Sequence, residues 1–426
     1  MNALPESNFV LAFALLLLAP LAVAGVAMIN AGLGRSRSAA QAFLGSLAMA
    51  AVAVILFVLV GSALAGSLPG GAGHVLTLGG KPWNLLGTGP LFASGLASAA
   101  SSSQLGLLFE VFSVALLVLL PWGSGADRLR LQAGCAVAGG LGLLLFPVAA
   151  HWIWGGGWLN QLGVNFKLGA GFQDAGGAAC VHVLGGLAAL ALVWVTGARR
   201  GKFPREGLAT AMPGHNAVYI LFGCLLALVG FMASNAAGAL IWLHAPLGEL
   251  APTVLNTILA ASISLAATFT VTSVRFGKPD ASLCANGWMA GLVSSSAAAA
   301  LVAPGAMLFI GLVAGIVTPL LVEVFELALS IDDPSGAVAV HGVAGIWGLL
   351  AAGAFSGGAG QFIAQMVGVA TLLGLFFPLF YFLFLGLDRL VAFRADPDGE
   401  RLGMDLHELG GGAYPEFVIH RDDSYR

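Results

Sequence analysis

The chain is a succession of apolar runs, each near the length that crosses a bilayer, joined by short links that hold most of its charge. A run of about 20 apolar residues spans the hydrocarbon layer as a helix, because only then are its own amides satisfied without water. Hydrophobic residues make up 58% of the 426, charged residues only 9%, and mean hydropathy is +0.94. A soluble domain carries about 25% charged residues, so this is an integral membrane protein. Its 61 glycines suit membrane helices, whose backbones approach closely where side chains are small. The opening MNALPESNF has one acid, Glu6, and no basic segment of the kind that leads a cleaved signal peptide.

Eleven runs are long enough to span: 9–31, 40–66, 92–121, 131–153, 177–198, 215–240, 251–274, 284–302, 305–329, 336–356 and 361–387. The basic residues alternate with them. Arg35 and Arg37, Arg128 and Arg130, Arg199, Arg200, Lys202 and Arg205, Arg275 and Lys278, then Arg389, Arg394, Arg401, Arg421 and Arg426 all follow odd-numbered runs. These are 15 of the 17 basic residues, and only Lys81 and Lys167 fall on the other side. The positive-inside rule then predicts an external N-terminus and a cytoplasmic C-terminus in a cell inner membrane. The four cysteines, Cys135, Cys180, Cys224 and Cys284, lie in or beside apolar runs and match no metal or redox spacing. A net charge of −3 says nothing for a nucleic acid, and none is expected as a partner.

One local pattern occurs twice. DAGGAACVH (174–182) and DPSGAVAVH (333–341) share Asp, Gly, Val and His in register, with a further glycine four residues beyond each histidine. The fifth and tenth runs that carry them cross in opposite directions. An inverted repeat places a transport site near the midplane, where the halves meet. The expected architecture is all-α: two inverted five-helix halves plus a long eleventh helix, residues 1–392, then a cytoplasmic tail, 393–426.

Of eight histidines, His74, His244, His407 and His420 fall in links or tail, and His151 and His215 near run ends. His182 and His341 alone lie well inside runs. An ionisable residue at membrane depth points to function, and the plain alternative is a neutral histidine bonded to a carbonyl or serine. Two imidazoles make a poor zinc site, which usually takes four ligands, so no metal or other cofactor is expected. Bonded to each other, they offer one donor and one acceptor to a small polar solute that crosses uncharged, since a bare ion is costly in an apolar path. No nucleophile–base set is present, so an enzyme is not expected.

Seven segments in order resemble the ammonium transporter family of Amt, Mep and Rh proteins. They are AGLGRSRS (31–38), AHWIWGGGW (150–158), DAGGAACVH, GHN (214–216), NTILAA (256–261), GKPDASLCANGWMAGLV (277–293) and IDDPSGAVAVHGVAGIWG (331–348). The resemblance covers nearly the whole chain. It implies a homotrimer in membrane lipid with one pore per subunit, in which ammonium is drawn to an outer vestibule, deprotonated and passed as ammonia along twin histidines. His182 and His341 match those two. Trp154 matches the vestibule tryptophan, although tryptophans also anchor membrane interfaces in general. Asp174 matches the aspartate at the pore entrance, orienting helix ends rather than binding solute. Phe112 is the first candidate for the outer gate phenylalanine, with Phe109 the alternative.

The chain also departs from the family. Where the family reads GWFGFNAGS, residues 230–238 read GFMASNAAG. The second gate phenylalanine falls at Ser234 and the vestibule serine at Gly238, while Asn235 is kept. Glu110 stands where the family has a neutral residue. Either it binds a cation in the vestibule or it bonds between helices. The family's aspartate in the second repeat falls at Gly336, and its aromatic at Val338. In the tail, Asp405, Gly410, Ala413 and Tyr414 match, but the family's histidine and glutamate fall at Leu409 and Gly411. That leaves open a PII-type regulator or a separate signalling partner at the tail. The first expectation is therefore an ammonium or ammonia channel or transporter. A second is an ammonium-binding sensor that conducts little. A third keeps the channel and changes the solute to carbon dioxide or water.

Overall fold

The computed structural model describes residues 4–68 and 75–414, with the side chain of Val75 left out. His74, His420, Arg421 and Arg426 lie outside the described residues. The long helices are α1 (Glu6–Leu33), α2 (Ser36–Ala65), α3 (Ser101–Ser124), α4 (Leu131–Ile153), α5 (Ala178–Thr196), α6 (Ala217–Trp242) and α7 (Leu247–Phe276). Then follow α8 (Ala281–Ala298), α9 (Pro304–Leu327), α10 (Val338–Ser356) and α11 (Gly358–Leu390). Ten are long and apolar enough to cross a membrane, among the described residues. The helix outside that set is α8, formed by the eighth run. It has 18 residues and buries Asn286 and Ser294, Ser295 and Ser296 among its neighbours. A helix screened from lipid by protein tolerates polar residues that a lipid-facing one does not.

Local chemistry sets the helix ends. The side chains of Asn216 and Asp280 accept from the amides of Tyr219 (3.0 Å) and Leu283 (2.8 Å), capping α6 and α8. Pro147 and Pro378 have no N–H to give the preceding turn, and wide turns at Leu141–Leu145 and Leu372–Phe376 come just before them. A short hairpin of β1 (Val75–Leu78) and β2 (Lys81–Asn84) lies in the link from α2 to α3.

The two halves meet backbone to backbone. On α1 and α6, a Cβ at Gly25 would lie 2.5 Å from the Gly223 carbonyl oxygen, and one at Gly223 would lie 2.6 Å from that of Gly25. On α5 and α10, a Cβ at Gly186 would lie 2.3 Å from the Gly342 nitrogen. Its counterpart four residues past His341, Gly345, faces Val183 at 2.9 Å. Each repeat thus uses a glycine to seat the other repeat's helix.

Charge is gathered at one end of the bundle, called here the arginine end. Arg199, just past α5, reaches Asp127 (3.0 Å) and Asp332 (2.8 Å). Arg128 reaches the Asp332 carboxylate (3.4 Å) and carbonyl (2.8 Å). Arg35 bonds Asp127 at 3.3 Å. All except Arg35 are almost wholly buried. Burial alone raises the Asp127 carboxyl, but Arg35 and Arg199 together hold it below its ordinary value. Burial likewise opposes ionisation of Asp332, and its bonds to Arg199 with the charge of Arg128 carry it below as well.

Residues 391–414 run back across this end. Ala395 N–H donates to the Arg128 carbonyl (2.9 Å). Glu400 takes the Arg200 amide (2.7 Å) and the Arg394 guanidinium (2.8 Å). Asp405 accepts from the amides of Gln41 (2.7 Å) and Ala40 (3.2 Å), in the first turns of α2.

Candidate functional site

The two repeated segments fold alike. Asp174 accepts from the amides of Gly177 (3.0 Å), Ala179 (2.8 Å) and Cys180 (3.0 Å). Asp333 accepts from the amide of Val338 (2.8 Å) and the hydroxyl of Ser124 (2.7 Å). A carboxylate at a helix start satisfies amides that have no partner within the helix. After each aspartate the chain turns through a left-handed glycine, Gly177 (φ 92°) and Gly336 (φ 68°). Each helix then opens with a wide turn, Ala178–Val183 and Val338–Val343, and each turn contains the histidine.

Those turns bring His182 and His341 together mid-bundle, buried, with Nδ1 to Nδ1 at 3.2 Å. One Nδ1 must carry the proton and the other accept it. The two Nε2 atoms are therefore unlike, one a bare acceptor and the other a donor. Phe231 of α6 lies flat against the His182 ring, centroids 5.0 Å apart and planes at 5°.

A small cavity adjoins each histidine. The first touches His182, Phe109, Phe112, Ser113, Phe231 and Ser234, and offers about 20 Å³ to the centre of a water-sized molecule. The second touches His341, Asn30, Asn286 and Ser335 and offers about 10 Å³. Roughly 10–15 Å³ by this measure admits one water. Beyond it, Asn286 also lines a larger hollow of about 260 Å³ with Arg199, Lys202, Asp332 and Asp333. The sequence of spaces is thus first cavity, histidine pair, second cavity, and hollow at the arginine end.

At the opposite end, called here the tryptophan end, three aromatic rings gather. Trp154 donates its indole N–H to the Asp174 carbonyl at 2.6 Å. Phe109 meets Trp154 edge-on at 5.3 Å, and Trp242 lies parallel to Trp154, also at 5.3 Å. Phe109 and Phe112 both face the first cavity, and of the two it is Phe109 that packs on Trp154. The residues between them on the helix turn away. Glu110 is buried, and its carboxylate accepts from the hydroxyl of Ser67 beyond α2, not at the wall of the first cavity. Asn235 donates to the hydroxyls of Thr257 (3.0 Å) and Ser295 (3.2 Å), tying α6 to α7 and α8. A Cβ at Gly176, a residue of the cavity wall, would lie 2.1 Å from the Asn235 side-chain oxygen.

At Gly238 there is no room for a side chain. A Cβ would lie 1.9 Å from the Ala175 carbonyl oxygen. Gly238→Ser, which restores the family residue, should therefore strain the entrance loop and lower stability by about 1–3 kcal/mol. Thermal unfolding in detergent measures this, and an unchanged melting temperature would refute the crowding argument.

Phe231, Trp242, Asn30, Asn286 and Ser335 are not in the sequence-derived set. Phe231 is inside the quoted GFMASNAAG segment, one helical turn before Ser234, which is the only signal that pointed to it. Trp242 ends an apolar run and reads from sequence as an interface anchor.

The Ammonium Transporter Family profile matches residues 8–414. The chain is 32% identical over 419 residues to an ammonium transporter Amt2 of Archaeoglobus fulgidus, covering 93% of this chain and 85% of the relative. It is 29% identical to an ammonium transporter of Bacillus subtilis, covering 92% and 94%. Among solved structures, a sensor Amt protein superposes with TM-score 0.84 at 24% identity, covering 94% and 98%. Mep2 of Candida albicans superposes with TM-score 0.78 at 23% identity, covering 97% and 91%. At these identities the structures speak for the fold.

Proposed function

The chain belongs to the ammonium transporter family, a family of multi-pass membrane transporters rather than enzymes, and on that premise we propose that it passes ammonium nitrogen as ammonia between His182 and His341. The observation that carries the reading is the histidine pair itself, 3.2 Å apart with a one-molecule cavity on either side. Trp154 and Phe109 supply ring faces, which attract a small cation, and a cation that enters must leave its proton before the apolar path. Ammonia then donates to the bare imidazole nitrogen and accepts from the protonated one. Gly336 leaves the exit toward Asn286 open, since a side chain there would lie 2.8 Å from its amide nitrogen.

The same reading sets the tryptophan end outside the cell and the arginine end in the cytoplasm, because basic links stay on the side of synthesis. It makes the assembly a homotrimer in the inner membrane. It also makes residues 393–426 a cytoplasmic tail for a PII-type or other regulator, one that does without the family's histidine and glutamate at Leu409 and Gly411.

The test is an ammonium pulse on proteoliposomes of the purified chain, with current and internal pH recorded. The expected result is a saturating, protein-dependent signal that His182→Ala alters by at least about tenfold, as loss of one paired hydrogen bond and the shape of the constriction would do. A second reading keeps binding and drops flux: the carbonyl of Ala175 fills the place of the vestibule serine at Gly238, and Ser234 brings no ring. Silence in the pulse with ammonium binding intact by calorimetry would select it. Silence in both, with a carbon dioxide or water flux present, would select another solute.

A further inference from the structure

The family's paired gate phenylalanines fail here at Ser234, which lines the first cavity as a bare hydroxyl. The entrance is nevertheless covered by rings. Eight residues beyond Ser234, about two helical turns, Trp242 closes the C-terminal end of α6. Its indole lies parallel to that of Trp154, planes at 3° and centroids 5.3 Å apart. Phe109 meets it edge-on at 5.8 Å. A cation sandwiched between two ring faces needs about 3.5 Å on each side, so planes about 7 Å apart. With centroids 5.3 Å apart the near-parallel planes can be no farther apart than that, so the face of Trp154 is shut to a cation.

The two indoles are held differently. Trp154 is buried and fixed by its bond to the Asp174 carbonyl at 2.6 Å. Trp242 is half-buried, and its indole nitrogen is buried with no hydrogen-bond partner. A buried N–H without an acceptor penalises that ring position relative to one in which the N–H meets water. The helix ends at once beyond it, and His244 takes φ 51°. The ring also has a seat made for it. Gly106, one turn before Phe109 on α3, would with a Cβ lie 3.0 Å from the Trp242 ring.

We propose that Trp242 is the gate aromatic of this chain. It supplies at the mouth the ring that Ser234 lacks, seals the face of Trp154 against water, and swings aside to admit a small monovalent cation of the ammonium or methylammonium class between two indole faces. The proposal rests on the reading of Trp154 as the solute entrance.

The full-length protein in liposomes tests it by two independent readouts, stopped-flow osmotic water permeability and the ammonium-driven pH signal. Trp242→Ala should raise water permeability severalfold and raise the half-saturating ammonium concentration by about tenfold, while Trp242→Phe stays within about twofold of the parent in both. Gly106→Ala, which displaces the ring without removing it, should move both in the same direction by a smaller factor, and it decides the matter if Trp242→Ala does not fold. Folded variants with parental water permeability would overturn the gate. If the parent itself gives no ammonium signal, the transport reading fails, and the water readout still decides the role of Trp242.

Discussion

Asp332→Ala should lower the unfolding free energy by about 3–5 kcal/mol, a large share of the total for a protein of ordinary stability. The carboxylate holds Arg199 through two side-chain nitrogens at 2.8 and 3.0 Å, and the backbone amide of Arg199 at 2.7 Å. It also faces Arg128, which is fully buried. Burial pulls Arg128 down to about 10, so it stays charged at neutral pH. Removing the carboxylate leaves two guanidinium groups buried, of which Arg199 alone keeps a bonded anion, Asp127. The loss should depend on pH in a defined way. Because Asp332 is held below its ordinary value of 3.8 in the folded state, its contribution is complete above about 3.8 and fades as pH falls through the lower folded value. Melting curves of parent and variant in detergent should therefore stay apart by a constant margin from pH 5 to 8 and converge only below pH 3.8. A variant that melts with the parent at pH 7 would show that the cluster is not holding the loops together.

Gly186→Ala should abolish the function assigned to the histidine pair without touching either ring. The new methyl would stand 2.3 Å from the Gly342 nitrogen and 2.5 Å from its Cα. Backbone cannot rotate away as a side chain can, so α5 and α10 must part by about 1 Å to restore ordinary contact. His182 sits one turn before Gly186 and His341 immediately before Gly342, and a 3.2 Å contact lengthened by that amount is no longer a hydrogen bond. Stability should fall by about 1–3 kcal/mol, leaving a folded protein whose ammonium signal matches that of His182→Ala. Gly374→Ala, at a site with nothing within 4 Å, should be neutral in both assays. Parental transport by Gly186→Ala would mean that the close helix contact does not set the histidine spacing.

The helical plan was legible because each apolar run carries its own evidence: length, composition and a polar stop. The paired histidines were legible because a charge-bearing residue is conspicuous against an apolar background and the motif around it repeats. What the sequence concealed depends on rotation and on distant partners. Phe109 and Phe112 lie one turn apart on the same face, so spacing alone does not say which meets Trp154. Glu110 turns about 100° from Phe109 on the helix, and only the packing of α3 against the link beyond α2 fixes its partner as Ser67. Trp242 and Trp154 are separated by most of two helices, and nothing in either neighbourhood names the other. The eighth run gave a shorter, more polar helix than its apolar stretch implied, since neighbours rather than lipid surround Ser294 to Ser296.

The contact of Asp405 with the start of α2 bears on how the molecule is made. The amide it accepts from, that of Gln41, belongs to a residue 364 positions earlier. At roughly 5–20 residues per second, that segment leaves the ribosome about 20–70 s before its cap is synthesised. Throughout that interval α2 has an unfinished end on the basic side of the bundle. The nascent chain therefore offers chaperones and insertion machinery a bare helix terminus that disappears only when synthesis has passed residue 405.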